Sequence, residues 1–322
     1  MRNKINRCDF SYFCAIAAPF ATRSRFRTLC DWGNWVFPYD DMFDNGYLRD
    51  KPQESRRVME SLMMPMLGSD PSMVTKDRLP IVKAHDTIVE RMAIPSTPTG
   101  VRKRFALAMQ GYCQGALAQI DNQISERHPS LEEIVAIRRE SAGCKPLYHL
   151  VEYAHRLRVP DNVFDNPVVQ ELENLGMDMV AISNDILSYR KEQAEGVPHN
   201  MVTVCRLGGM SAQKAFNTVG RLLQSRYRRW DEAEASVPSW GKETDLQVRK
   251  YIEGIKSVVK ANLHWSFRSE RYLGSDPGRV RGPCVDAVVG DDGVLIAGTG
   301  EIDELHLRLR SSTVVDGSGS IL

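Results

Sequence analysis

Asn184-Asp185-Ile186-Leu187-Ser188-Tyr189-Arg190-Lys191-Glu192 is the stretch from which the rest of the chain can be read. It lies in a long segment, about Pro167 to Ala194, whose apolar spacing predicts a helix. A helix turns about 100° per residue, so a step of four drifts by only about 40°. Asn184, Ser188 and Glu192 therefore share one oxygen-bearing stripe. Amide, hydroxyl and carboxylate oxygens are hard donors that suit Mg²⁺. Lys191 beside them is a point charge that could hold an anion sharing the metal. A polar stripe is equally what a solvated helix face looks like. The mostly apolar run from Leu175 to Ile182 sets it at the edge of a buried segment.

A second acidic group lies far upstream, at Asp40-Asp41-Met42-Phe43-Asp44. Asp40 and Asp44 are four apart and share a helical face. The apolar, aromatic run Trp32 to Tyr39 precedes them. Acids this close repel one another unless a cation joins them. An EF-hand loop is excluded, because counting from Asp41 puts Phe43 and Pro52 where oxygen ligands belong. The alternative is a helix end with its acids facing water.

Taken together, the two groups resemble a family. Asp40-Asp41-x-x-Asp44 resembles the aspartate-rich motif of class I terpene cyclases, and Asn184-Asp185-x-x-Ser188-x-x-Lys191-Glu192 their second metal motif. Order and separation match too, and the likeness to fungal sesquiterpene synthases spans roughly residues 8–275. The resemblance implies an all-α single helical bundle enclosing a central active-site cavity. It implies three Mg²⁺, held by Asp40 and Asp44 on one wall and by Asn184, Ser188 and Glu192 on the other, with Asp41 in support. Arg138, Lys191, Arg271 and Tyr272 would hold the diphosphate of a linear isoprenoid, farnesyl diphosphate above all. A helix interruption at Ser141-Ala142-Gly143 would face the substrate's first carbons. Phe37, Tyr112 and Trp265, by position relative to the motifs, would wall the pocket. Aromatic faces attract a carbocation without offering a lone pair that traps it. No residue need act as a nucleophile.

Composition agrees with a globular chain. Its 322 residues are 42% hydrophobic and 26% charged, with a net charge of +1, which leaves no electrostatic case for a nucleic-acid partner. Seven scattered cysteines without a C-x-x-C pair point to reduced thiols and a cytoplasmic setting. No apolar run reaches the roughly 18 residues that span a bilayer. Arg2, Lys4 and Arg7 before the apolar run Phe10 to Ala21 mimic a signal peptide, and Asp9 at its entrance weakens that reading. The seven histidines form no zinc spacing. A homo-oligomer is compatible with all of this.

In chain order, helices are expected over residues 22–50, with Pro38 as a kink, then Ser55 to Leu67, Leu79 to Met92 and Val101 to Ile124. Ser130 with Glu133 reads as a capping box opening a helix from Leu131. Further helices follow at Leu147 to Leu157, Ser211 to Ala235 and Thr244 to Tyr272, the last ending on the Arg271-Tyr272 pair. Residues 1–273 form the cyclase domain on this reading. Residues 274–322, crowded with glycine, form an irregular tail with short strands. The family carries more helical sequence before its aspartate motif than the 39 residues found here. A shortened, catalytically impaired helical protein is therefore the alternative to an active enzyme. A chain-elongating prenyltransferase is disfavoured, because Asn184, Ser188 and Glu192 stand where a second aspartate-rich motif would be.

Overall fold

The structure, a computed structural model, describes residues 6–67, 78–125 and 129–274. The short strands expected in the tail lie outside the described residues. Those described are helical, with no strand among them. The helices are α1 (Phe10–Ala17), α2 (Arg23–Asp44), α3 (Pro52–Met63), α4 (Pro80–Met92), α5 (Thr99–Ile124), α6 (Leu131–Ser141), α7 (Cys144–Ala154), α8 (Asp161–Phe164), α9 (Pro167–Glu195), α10 (Met201–Leu207), α11 (Ala212–Ala235), α12 (Lys242–Arg268) and α13 (Glu270–Leu273).

The bundle is arranged around α7. Nearly every side chain of this helix is buried, from Cys144 and Pro146 through Ala154, the signature of a helix enclosed on all sides. It touches α5, α12, α2 and α9. Around it, α1 lies between α2 and α12, α9 packs on α11 and α12, and α5 backs α6. Gly143 and Pro146 stand at the junction of α6 and α7, and Pro146 belongs to the second of them. It sits in the first turn, where a missing N–H costs nothing. The break is at Gly143, whose φ of 68° is left-handed and ends α6 against α7. Likewise α2 continues through Pro38 to Asp44 as one helix.

The run that mimics a signal peptide is α1. Asp9 accepts a hydrogen bond from the Tyr12 N–H at 3.3 Å and so starts the helix. Phe10, Phe13, Cys14 and Ala17 enter the core. The Ser130–Glu133 capping box is present in both directions, at 3.2 and 2.8 Å. Gly115 lets α5 approach the end of α6: a Cβ there would fall 2.7 Å from Ser141 N and Glu140 Cβ.

One core residue ties stability to pH. His85 is fully buried between Trp35 and Phe105, with ring centroids 4.5 and 6.1 Å away, and neither ring nitrogen has a hydrogen-bond partner. Burial, helped by Arg78, pulls its pKa from 6.5 down to about 3. The folded chain thus refuses a proton that the unfolded chain accepts below about 6.5. This contribution to stability is complete above that pH and is lost as pH falls toward 3. Urea unfolding of wild type and His85→Phe at pH 7 and pH 5 should differ in pH sensitivity by about 2 kcal/mol. Phe keeps the ring stack, so equal slopes would show that His85 is not held neutral.

Candidate active site

A cavity with about 900 Å³ of atom-free space, its mouth included, opens among α1, α2, α5, α6, α7, α9, α12 and α13. Asp40, Asp44, Arg138, Asn184, Lys191, Glu192, Arg271 and Tyr272 all line it, so the two distant motifs meet on one hollow. The deeper lining is apolar and aromatic, including Phe13, Trp32, Phe37, Leu147, Val180 and Val258.

On the α2 wall, Asp40 and Asp44 point into the cavity from successive turns. Tyr112 Oη donates to Asp40 Oδ1 at 3.0 Å, and Gln119 Nε2 donates to Asp44 Oδ1 at 2.6 Å. Burial lifts the Asp40 carboxyl to about 6, with Asp41 adding repulsion against the pull of Arg138. Asp44 is raised well above the carboxylate range, first by burial and then by Asp40 and Glu192. Asp41 faces the rim instead, where the Arg271 guanidinium forks onto it at 2.7 and 3.2 Å.

On the α9 wall, Asn184 Oδ1 accepts from Arg138 at 3.1 Å, and its Nδ2 donates to Tyr272 Oη at 2.8 Å. Glu192 accepts from Asn200 Nδ2 at 2.9 Å. Ser188, midway between them, is fully buried behind the lining residues rather than among them, and its Oγ has no partner. Lys191 donates to Glu195 at 2.6 Å, and Asn45, just past α2, donates to the same Glu195 oxygen at 2.7 Å. That carboxylate spans the ends of α2 and α9 at the mouth.

These residues fit a divalent cation. Two crowded carboxyls stand with raised pKa values, Glu192 lines the cavity with them, and the Ser188 hydroxyl is an orphaned buried oxygen. A divalent cation would relieve the crowding that helps to raise them. Among the described residues, no three acids, histidines or cysteines already converge on one point. The two walls are separate half-sites facing a shared space.

The structure corrects the pocket wall in one place. Trp265 does not line the cavity. It is fully buried, donates from its indole N–H to Cys8 O at 2.6 Å, and lies behind Phe37 and Tyr272, with ring centroids 5.0 and 5.6 Å away. It is the backing on which two lining rings rest. Phe37 and Tyr112 do line the cavity. The end of the last helix also differs. α12 stops at Arg268, Ser269 turns extended (ψ 145°), and its side chain caps a new short turn through the Arg271 N–H. This bend returns Arg271 and Tyr272 over the mouth, where a continued helix would have carried them onward.

Several site residues escaped the sequence reading. Asp185, fully buried, takes Arg138 at 2.8 Å and the Met201 N–H at 2.8 Å. Asn200 caps α10 through its Oδ1 while its amide nitrogen reaches Asp185 O and Glu192. Its place before Met201-Val202 was an N-cap signal that could have found it. Gln119 stands seven residues after Tyr112, hence on the same face of α5. Asn262 places an amide in the apolar part, donating to Ser183 Oγ at 3.0 Å.

A bundle of this form, with Asp40 and Asp44 on one wall of the cavity and Asn184 and Glu192 on the other, is that of a class I terpene cyclase. Comparison with known proteins agrees. The model of terpene synthase family 2, C-terminal metal binding, matches residues 31–229. The silphinene synthase peniA of Penicillium patulum is 36% identical over 283 residues, covering 87% of this chain and 76% of its own. The (+)-eremophilene synthase of Gibberella fujikuroi is 34% identical, covering 85% and 77%. A variant of cucumene synthase superposes with a TM-score of 0.72 at 25% identity, over 81% of this chain and 86% of that one. The chain belongs to terpene synthase family 2, among the fungal sesquiterpene cyclases. No helix among the described residues is long and apolar enough to cross a membrane.

Proposed function

We propose that the protein ionises farnesyl diphosphate in a Mg²⁺-dependent reaction and cyclises the allylic cation to a sesquiterpene, releasing diphosphate. One observation carries this: both half-sites and four cationic or hydroxyl groups rim a cavity whose depth is apolar. Asp40 and Asp44 would hold two Mg²⁺, and Asn184, Ser188 and Glu192 a third. Bound there, the ions supply charge stabilisation to the departing diphosphate. Arg138, Lys191, Arg271 and Tyr272 grip its oxygens, with Arg offering a planar fork and Tyr a single donor. All four meet neighbouring side chains in the structure, so the diphosphate replaces existing partners. Phe37 and Tyr112 would offer aromatic surface to the cation, which ring faces attract by roughly 0.5–2 kcal/mol. The apolar depth keeps water from quenching it early.

Catalysis is assigned to residues 1–273, and the cytoplasm is the expected setting. The test is incubation with geranyl, farnesyl and geranylgeranyl diphosphates, with Mg²⁺ or with a chelator, followed by gas chromatography–mass spectrometry. A fifteen-carbon product that needs Mg²⁺ is expected. If folded protein yields no product from any of the three, the non-enzymatic alternative takes its place.

A further inference from the structure

On the Asp40–Asp44 wall the aspartates do not stand alone. Tyr112 and Gln119 are seven residues apart on α5, nearly two full turns, and so project from one face. Each gives one hydrogen bond to one aspartate, at 3.0 and 2.6 Å. In both cases the acceptor is Oδ1, which leaves Oδ2 of Asp40 and of Asp44 for another partner. The face is held in place, since at Gly115 between them α5 lies directly against the end of α6.

Gln119 is the more telling of the two. It does not line the cavity and is 6% exposed, so it makes no contact with substrate. Its Oε1 is buried without any hydrogen-bond partner. An unpaired buried carbonyl of this kind costs about 1–3 kcal/mol. With Asp44 ionised, the form that would bind a cation, turning the amide over would set Oε1 against the carboxylate, which is worse. A leucine would avoid both problems and would suit a helix core. The amide is thus kept in an orientation that serves Asp44 and nothing else.

We infer that Gln119 is a positioning residue for the metal site: its amide fixes the rotamer of Asp44 so that Oδ2 is presented to a divalent cation, with Tyr112 doing the same for Asp40. This rests on the metal-dependent reading above. It adds a contact from outside the set of residues that would touch the ion. Removing such an outer partner typically weakens metal binding by 10–100-fold.

The test is Mn²⁺ binding to the substrate-free protein, read by electron paramagnetic resonance, alongside the Mg²⁺ concentration for half-maximal activity. Gln119→Leu should raise the Mn²⁺ dissociation constant at least tenfold. It should raise the Mg²⁺ requirement in parallel, and leave kcat at saturating Mg²⁺ within about threefold of wild type. Gln119→Asn keeps an amide but is one carbon too short, so it should reproduce the loss should the leucine variant misfold. In an Asp44→Ala background, which has no acceptor for the Gln119 amide, the leucine change should add nothing. A variant with a lowered melting temperature and an unchanged Mn²⁺ constant would make Gln119 an ordinary packing residue and overturn the inference. Because Mn²⁺ binding is read without substrate, a wrong assignment of farnesyl diphosphate leaves this result intact.

Discussion

Asp40→Ala and Asn184→Ala, each alone, should lower turnover of farnesyl diphosphate at physiological Mg²⁺ by about 10³-fold or more. The two residues lie on opposite half-sites of one cavity, and each removes a hard oxygen from a separate wall. Metal stabilisation of a departing diphosphate supplies several kcal/mol, and each 1.36 kcal/mol is about tenfold in rate. Stability should respond in the opposite sense at Asp40. Its carboxyl is lifted to about 6 by burial and by Asp41, so removing it relieves the resting fold of a crowded charge. An Asp40→Ala variant that melts no lower than wild type but has lost turnover would separate chemistry from folding. Unchanged product formation in both variants would remove the metal reading altogether.

Arg138→Met should be the most damaging single change to the fold. Arg138 lines the cavity yet is 7% exposed, and it is held by Asp185 at 2.8 Å and by Asn184 at 3.1 Å. Burial alone would weaken its charge. Asp185, Glu192, Asp44 and Asp40 together more than reverse this and raise its pKa. Taking away the cation leaves four acidic groups facing one another without it. Breaking a buried pair from one side costs about 3–5 kcal/mol, a large fraction of a domain's stability. Denaturant unfolding reads this directly, and Arg138→Lys should recover only part of it, since a point charge cannot fork between Asp185 and Asn184. A loss below about 1 kcal/mol would mean that the acids are screened by something other than Arg138.

Helices were legible in the sequence because apolar spacing declares them, and the motif residues because hard oxygens at i, i+4 and i+8 are an unusual stripe. What was not legible is instructive. Trp265 had the residue type and the position expected of a wall, but which side of a ring faces a hollow depends on how α1 fits against α12. No local pattern records that fit. The bend at Ser269 was hidden because the helical spacing continues through it. Only the Ser269 cap on Arg271 marks the stop. Gln119 carries no charge and belongs to no motif. Its role appears only when α5 is laid against α2. Asp185 stood inside the most closely read stretch, yet it points about 100° away from Asn184 and does its work toward α6 and α10.

The bend at Ser269 also restricts how this enzyme can change. Val258 and Asn262 on α12 form part of the cavity's floor, while Arg271 and Tyr272, hung from the same helix, reach over its mouth. Floor and cover thus ride on one rod. Any substitution that tilts that rod to reshape the space for a growing ring also loosens the grip on the leaving group. New carbon skeletons are more readily obtained from α1 and α7, whose Phe13, Cys14 and Leu147 shape the same space without carrying any part of the cover.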